Sequence, residues 1–220
     1  MIAIFDLDKT LIPFDCDEAW GQHMYAEGYA NPNFLTRQQW YFDQYDAGTL
    51  DIHKYQQFSL EATIQAGPLL AKQELKKFVD TCIRPCLTSS VLQLIDSHRQ
   101  QGHRLLVITA TNVFVSRAVV DALGIEELLA IDLAVDAQGW FNGQIEGTPS
   151  FREGKVTRLQ TWFAAQGLRR SNLELFFYSD SVNDLPLLAY VDHPVATNPS
   201  ADLRAHAYQH CWKVLNLFDS

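Results

Sequence analysis

Short unbroken apolar runs alternate with stretches in which apolar residues recur at helical spacing. Ile2-Ala3-Ile4-Phe5 and Leu105-Leu106-Val107-Ile108 are runs of the kind that strands covered on both faces carry. The pattern predicts strands at 2–5, 104–108, 128–135 and 173–178, with weaker ones at 194–196 and 212–215. Between them it predicts helices at 89–101, 113–123 and 154–166, stopped by Gly102, Gly124 and Gly167. The Gly- and Asn-containing stretch 136–147 around Trp140 and Phe141 reads as a hairpin. Strands alternating with helices predict an α/β fold with a doubly wound parallel sheet.

One interval breaks the alternation. From Asp8 to Thr109 the chain runs far beyond the roughly 30 residues that a strand–helix–strand crossover needs. Aromatics, Gln and Ala dominate this stretch, punctuated by Asn31-Pro32, Ala47-Gly48 and Gly67-Pro68. Four helices are expected, at 16–29, 33–46, 50–65 and 69–81. The domain reading is a core of 1–14 and 85–220 with a helical-bundle cap, 15–84, inserted into it. Arg84-Pro85 marks the return to the core.

With 220 residues, 47% of them hydrophobic and 20% charged, the chain has the composition of a globular protein. Its net charge of −9 argues against nucleic acid or an anionic lipid surface as partner. No run approaches the ~18 apolar residues of a membrane span, and no apolar leader precedes the first strand. The four cysteines form no CxxC pair. Cys82 and Cys86 read as reduced thiols, so a cytoplasmic protein is expected. His206 and His210 have metal-binding spacing but no third ligand, and read as part of an exposed helix.

Polar clusters fall where these elements end or begin: Asp6 and Asp8 after the first strand, Thr109-Ala110-Thr111-Asn112 after the second, Asp180 and Asp184 after 173–178, and Lys155 opening a helix. In open α/β sheets ligands bind outside the carboxyl ends of the strands, so one shared site is expected. Two acids at a buried strand end are costly without a counter-charge, and an oxygen-rich set suits Mg2+. These groups suit phosphoryl transfer: a carboxylate nucleophile, a second acid to move protons, and a lysine and a hydroxyl to hold the phosphate oxygens.

In these residues the chain resembles the haloacid dehalogenase superfamily of phosphohydrolases over nearly its whole length. Asp6-Leu7-Asp8-Lys9-Thr10, Thr109, Lys155 and Asp180-Ser181-Val182-Asn183-Asp184 look like that family's four motifs. The insertion after the first motif resembles the cap of its phosphoserine phosphatase-like subfamily, IB. The resemblance implies a Rossmann-like core. It makes Asp6 the nucleophile and Asp8 the general acid/base. Asp6, Asp8 through its backbone carbonyl, Asp180 and Asp184 become the Mg2+ ligands. Thr109, Ala110 and Lys155 become the phosphate site, with the amides of Leu7 and Asp8. Asp8-Lys9-Thr10 also resembles the phosphorylation motif of ion-pumping ATPases, but Leu11-Ile12 replaces that motif's Gly-Thr.

Asp15, Asp17 and Glu18 open the insertion. They read either as a helix start that favours the helix dipole or as a clamp for a cationic group. Asp15 matches the acid that meets the substrate amine in phosphoserine phosphatases. The runs 15–21, 109–112 and 151–155 look more like a histidinol-phosphatase-like subgroup. Arg37 and Arg152 are candidates for further anion contacts. The expected activity is hydrolysis of a small amino-bearing phosphomonoester through an aspartyl phosphate. Phosphoserine phosphatase, a phosphotransferase using the same aspartyl phosphate, and a non-catalytic phosphometabolite-binding module are the alternatives.

Overall fold

The computed structural model describes residues 1–218. Strand β1 (Ile2–Phe5) is buried along its whole length. Ala3 and Phe5 enter the apolar cluster on one face of the sheet, and Ile2 and Ile4 the cluster on the other, because successive strand side chains point to opposite faces. Helices α1 (Cys16–Ala26), α2 (Phe34–Asp46), α3 (Ile52–Ser59) and α4 (Glu61–Phe78) follow. Two short irregular helical turns over 79–86 then lead to α5 (Ser89–Gln100) and β2 (Arg104–Asn112). Next come α6 (Val113–Ala122), β3 (Glu127–Ile131) and the strands β4 (Leu133–Val135) and β5 (Phe141–Ile145). The chain closes with α7 (Glu153–Ala165), β6 (Leu175–Ser179), α8 (Leu185–Leu188), β7 (His193–Thr197), α9 (Ala201–Gln209) and β8 (Lys213–Leu215).

Six strands form one parallel sheet in the order β3-β2-β1-β6-β7-β8. This is the doubly wound arrangement expected, and its direction of winding reverses between β1 and β6. A crevice for ligands opens outside the carboxyl ends of the two strands at such a reversal. Phe5 lies opposite Val107 on β2 and Tyr178 on β6. Asp6, Thr109 and Asp180 therefore leave the same edge of the sheet within one residue of one another.

The helical insertion does not build a core of its own. Cys16, Trp20 and Met24 of α1 share a buried cluster with Phe5, Val107 and Val115. Trp20 packs edge-on against Phe114 of α6, ring centroids 5.9 Å apart, and its Nε1 donates to Thr63 Oγ1 at 2.9 Å. Phe34, Ile52, Tyr55 and Phe58 make a satellite cluster with Ile131 and Leu133. The hairpin thus anchors α2 and α3 above the sheet edge.

Four boundaries differ from the pattern-based expectation. The helix expected at 50–65 is divided at Leu60, which closes α3 and opens α4 and is buried in the satellite cluster. The helix expected at 69–81 instead begins at Glu61 and runs across a kink at Gly67. There φ is 75°, a value glycine tolerates, and the Pro68 that follows disfavours an αR residue before it. The strand expected at 128–135 is cut at Asp132, whose carboxylate pairs with Arg158 at 2.5 Å. Beyond it the chain leaves the main sheet and β4 pairs antiparallel with β5. Finally, β2 continues past 108 to Asn112, with a register shift against β3 between Ile108 and Asn112.

Candidate active site

The turn after β1 is wound around one carbonyl. Leu7 O accepts from the amides of Thr10, Leu11 and Ile12 at 3.3, 2.8 and 3.3 Å, and Lys9 takes a left-handed φ of 56° to close the turn. Asp6 and Asp8 both line the cavity at this sheet edge. Thr10 Oγ1 lies 3.4 Å from Asp6 Oδ2 and 3.3 Å from Asp180 Oδ1, so one hydroxyl ties the end of β1 to the end of β6.

Lys155, in the first turn of α7, is buried at the centre of this group. Its Nζ donates to Asp6 Oδ1 at 2.8 Å and to Asp184 Oδ2 at 2.7 Å. Ser179 Oγ donates to the same Asp184 oxygen at 2.7 Å. Asp8 is held separately: its Oδ1 accepts the Cys16 amide at 2.7 Å, and its Oδ2 accepts Thr111 Oγ1 at 2.8 Å and Thr109 Oγ1 at 3.3 Å. The continuation of β2 through residue 112 presents these two alternate threonines to one carboxylate.

Charge balance is poor in this cavity. Burial raises the Asp6 pKa well above the usual carboxylate range; Lys155 opposes that, and Asp184, Asp180 and Asp8 reinforce it. Burial, then Asp184, pushes Asp180 up to about 7. Burial works against the charge on Lys155, but Asp184 and Asp6 outweigh it and hold its pKa above the ordinary lysine value. Four carboxylates thus line one cavity in which the buried lysine is bonded to only two of them. An all-oxygen set with uncompensated negative charge fits a hard divalent cation, and Asp6, Asp8, Asp180 and Asp184 could hold one.

From α2 and α3 the same cavity is lined by Tyr41, Phe42, Tyr45 and Tyr55, and from the start of α1 by Asp15 and Asp17. Asp15 is the N-cap of α1, its Oδ1 accepting the amides of Asp17 and Glu18 at 3.0 and 2.9 Å. Asp17 is 3% exposed. Its Oδ1 accepts Asn112 Nδ2 at 3.0 Å, while its Oδ2 has no hydrogen-bond partner.

Asp6, Asp8, Asp15, Thr109, Ala110, Lys155, Asp180 and Asp184 all line this one cavity. Arg152 stands outside the lining: its Nε donates to Asn183 Oδ1 at 3.2 Å, and its guanidinium lies over Phe151. Arg37, of which an anion contact was expected, does not line this cavity. Both its terminal nitrogens bond the Glu61 carboxylate, and it covers Phe58 on the surface of the helical insertion. Thr111 and Asn112 were named from the sequence only as part of a polar run, with no role of their own, and Ser179 and Tyr45 were not singled out. The signal for the first two was their place in the polar run after a strand; Ser179 had only its adjacency to Asp180.

Among the described residues no helix is long and apolar enough to cross a membrane. The family described as haloacid dehalogenase-like hydrolase matches residues 3–189. A histidinol-phosphatase of Neisseria meningitidis serogroup C is 38% identical over 223 residues, covering 98% of each chain. A probable phosphatase of Mycobacterium tuberculosis is 25% identical over 217 residues, 97% of this chain and 74% of its own. The crystal structure of a Bordetella pertussis protein of unknown function superposes with a TM-score of 0.92 at 38% identity, covering 99% of this chain and 98% of the other. A substrate-bound phosphoserine phosphatase shares the fold, with a TM-score of 0.66 at 13% identity over 99% of this chain and 92% of its own. With the family matched across most of its length and its motif residues gathered at one sheet edge, the chain belongs to the haloacid dehalogenase-like hydrolase family, as one of its phosphatases.

Proposed function

We propose that the protein is a Mg2+-dependent phosphomonoesterase that works through an aspartyl phosphate on a small amino-bearing metabolite, in the manner of a histidinol-phosphatase. The observation that carries this reading is the bridge from Lys155 to Asp6 and Asp184, with Asp180 beside them and Asp8 held apart by Thr109 and Thr111. The assignment of the substrate rests on the relative named histidinol-phosphatase, and on Asp15 and Asp17, two further acids that line the cavity. A place in cytoplasmic amino-acid metabolism follows from such a substrate. Residues 15–84 act as the cap over a core of 1–14 and 85–220.

Asp6, Asp180, Asp184 and the Asp8 carbonyl would hold magnesium, which would supply positive charge to offset repulsion between carboxylate and phosphate. Asp6 attacks phosphorus, and the ester P–O bond breaks as Asp8 gives its proton to the leaving oxygen. Asp8 then takes a proton from water as that water attacks the phosphorus of the aspartyl phosphate. The bond to Asp6 breaks, and inorganic phosphate leaves. Lys155 steadies the equatorial oxygens, where charge is spread, and Thr109 and the Ala110 backbone flank them. Asp8 suits the proton-moving role because its carboxylate is oriented by two hydroxyls and an amide and has no lysine bound to it.

Asp6→Asn tests the nucleophile. Phosphate release from histidinol phosphate should fall by roughly a thousandfold or more, since no other group in the site replaces an attacking carboxylate. The far-UV spectrum and the unfolding transition should remain those of a folded protein. Full turnover by this variant would exclude Asp6 as the nucleophile.

A further inference from the structure

The cavity that takes up a phosphate ester is short of positive charge. Asp6, Asp8, Asp15, Asp17, Asp180 and Asp184 line it against two lysines, Lys9 and Lys155. The whole chain carries a net charge of −9. A phosphomonoester dianion arriving from solvent therefore meets an adverse field before it meets any bonding partner. Lys155 does little to offset that field at a distance. It is 3% exposed, and its ammonium is bonded to Asp6 and Asp184.

Lys9 is placed differently. Among the described residues it is the one member of the lining that is exposed, so it stands where the cavity opens to solvent. Ion pairs among the described residues engage Lys54, Lys76, Lys77 and Lys155, but not Lys9. Burial raises the pKa of Asp15 and of Asp180, and Lys9 opposes the rise in both, so its ammonium acts on acids from the start of α1 and from the end of β6. The backbone beneath it is fixed. Asn198 Nδ2 donates to the carbonyls of Lys9 and Thr10 at 3.0 and 3.3 Å, and Asn198 Oδ1 accepts the Leu217 amide at 2.6 Å. The left-handed φ of 56° at Lys9 is one that glycine adopts with less strain. What lysine adds over glycine at this turn is a charged side chain at the cavity mouth.

We propose that Lys9 is the substrate-capture residue of this phosphatase, its ammonium drawing the phosphoryl dianion into the cavity mouth and so setting kcat/KM rather than the chemical step. The inference rests on the phosphomonoesterase reading above and adds a residue that acts before the chemistry. It recognises the phosphate charge that all monoesters share, not the leaving group.

Steady-state hydrolysis of p-nitrophenyl phosphate and histidinol phosphate at pH 8 with saturating Mg2+ provides the test. At low ionic strength Lys9→Met should lower kcat/KM about tenfold, the effect of one charge on a dianion about 6 Å away in water. Its kcat should stay within about threefold of the wild-type value. In about 0.5 M NaCl, where the screening length falls to about 4 Å, the gap in kcat/KM should shrink to about threefold or less. Lys9→Arg should keep the wild-type values, and Lys9→Glu should lose about a hundredfold. Lys9→Gly deletes the charge while relieving the turn, so it should melt at or above the wild-type protein and yet be as poor as Lys9→Met. Wild-type kcat/KM in Lys9→Gly, a deficit that does not depend on salt, or a deficit confined to kcat overturns the proposal. Calorimetric binding of inorganic phosphate in the presence of Mg2+ reads the same attraction without turnover: about tenfold weaker binding by Lys9→Met supports it, and equal binding removes it. Absence of phosphate release from both esters by the wild-type protein would instead sink the phosphomonoesterase reading, and the calorimetry would still decide the role of Lys9.

Discussion

The burial of Asp17 has a consequence for stability. A carboxylate whose pKa in the folded protein is about 6, against an ordinary 3.8, is protonated more readily folded than unfolded. Between those values the native state binds the proton, so stability falls as pH rises through the window and the full cost stands above pH 6. A shift of that size corresponds to something on the order of 3 kcal/mol. Asp17→Asn carries no charge and keeps the acceptor for Asn112. It should therefore melt above the wild-type protein at pH 8, with the gap closing as pH is lowered from about 6 to about 4. Thermal unfolding of both proteins across that range measures it, and a variant that melts lower at every pH would show that the ionised oxygen is satisfied.

At the scale of elements, the start of α7 carries the most consequence per residue. A Cβ built on Gly154 would lie 2.0 Å from the carbonyl oxygen of Pro149, a backbone atom that cannot swing away. Gly154→Ala must push α7 off the 148–150 segment. Lys155 is the next residue, and Ser150 Oγ donates to Thr109 O, so the displacement reaches both sides of the site. A loss of about 1–3 kcal/mol is expected from such overpacking, with a fall in kcat larger than in ground-state binding. Unfolding and steady-state kinetics at wild-type levels would refute the contact. The helix itself was legible in the sequence, as were the strand runs of β1, β2 and β6 and the acids after them, because local patterning reports burial. Tertiary contacts decided the rest. Leu60 divides a helix because a satellite cluster buries it, Asp132 ends a strand because Arg158 waits on α7, and Arg37 pairs with the Glu61 carboxylate rather than lining the cavity. The roles of Thr111 and Asn112 depended on β2 running on past Ile108, and no spacing in the chain reports that register.

For the whole molecule, the sheet order makes metal binding a global event. Asp6 follows β1 and Asp180 follows β6, the neighbouring strands at which the winding reverses, so a cation held by both would join the two halves of the sheet. Without it, like charges face one another: Asp184, Asp180 and Asp8 all raise the pKa of Asp6, and Asp184 raises that of Asp180. Magnesium binding only the native state should stabilise it by about 2.7 kcal/mol at a hundredfold excess over its dissociation constant. For a chain of this size that corresponds to a rise in melting temperature of roughly 5–11 °C. Chelation should reverse the rise and abolish phosphate release together. Asp180→Asn should lose most of the rise, yet in chelator it should melt at or above the wild-type protein, since it removes a buried like charge and leaves Lys155 paired with Asp6 and Asp184. The two effects have opposite signs in one variant, which separates loss of a ligand from general damage to the fold. An unchanged magnesium response in Asp180→Asn would place the cation elsewhere, and the carboxylates at the reversal would then need another source of positive charge.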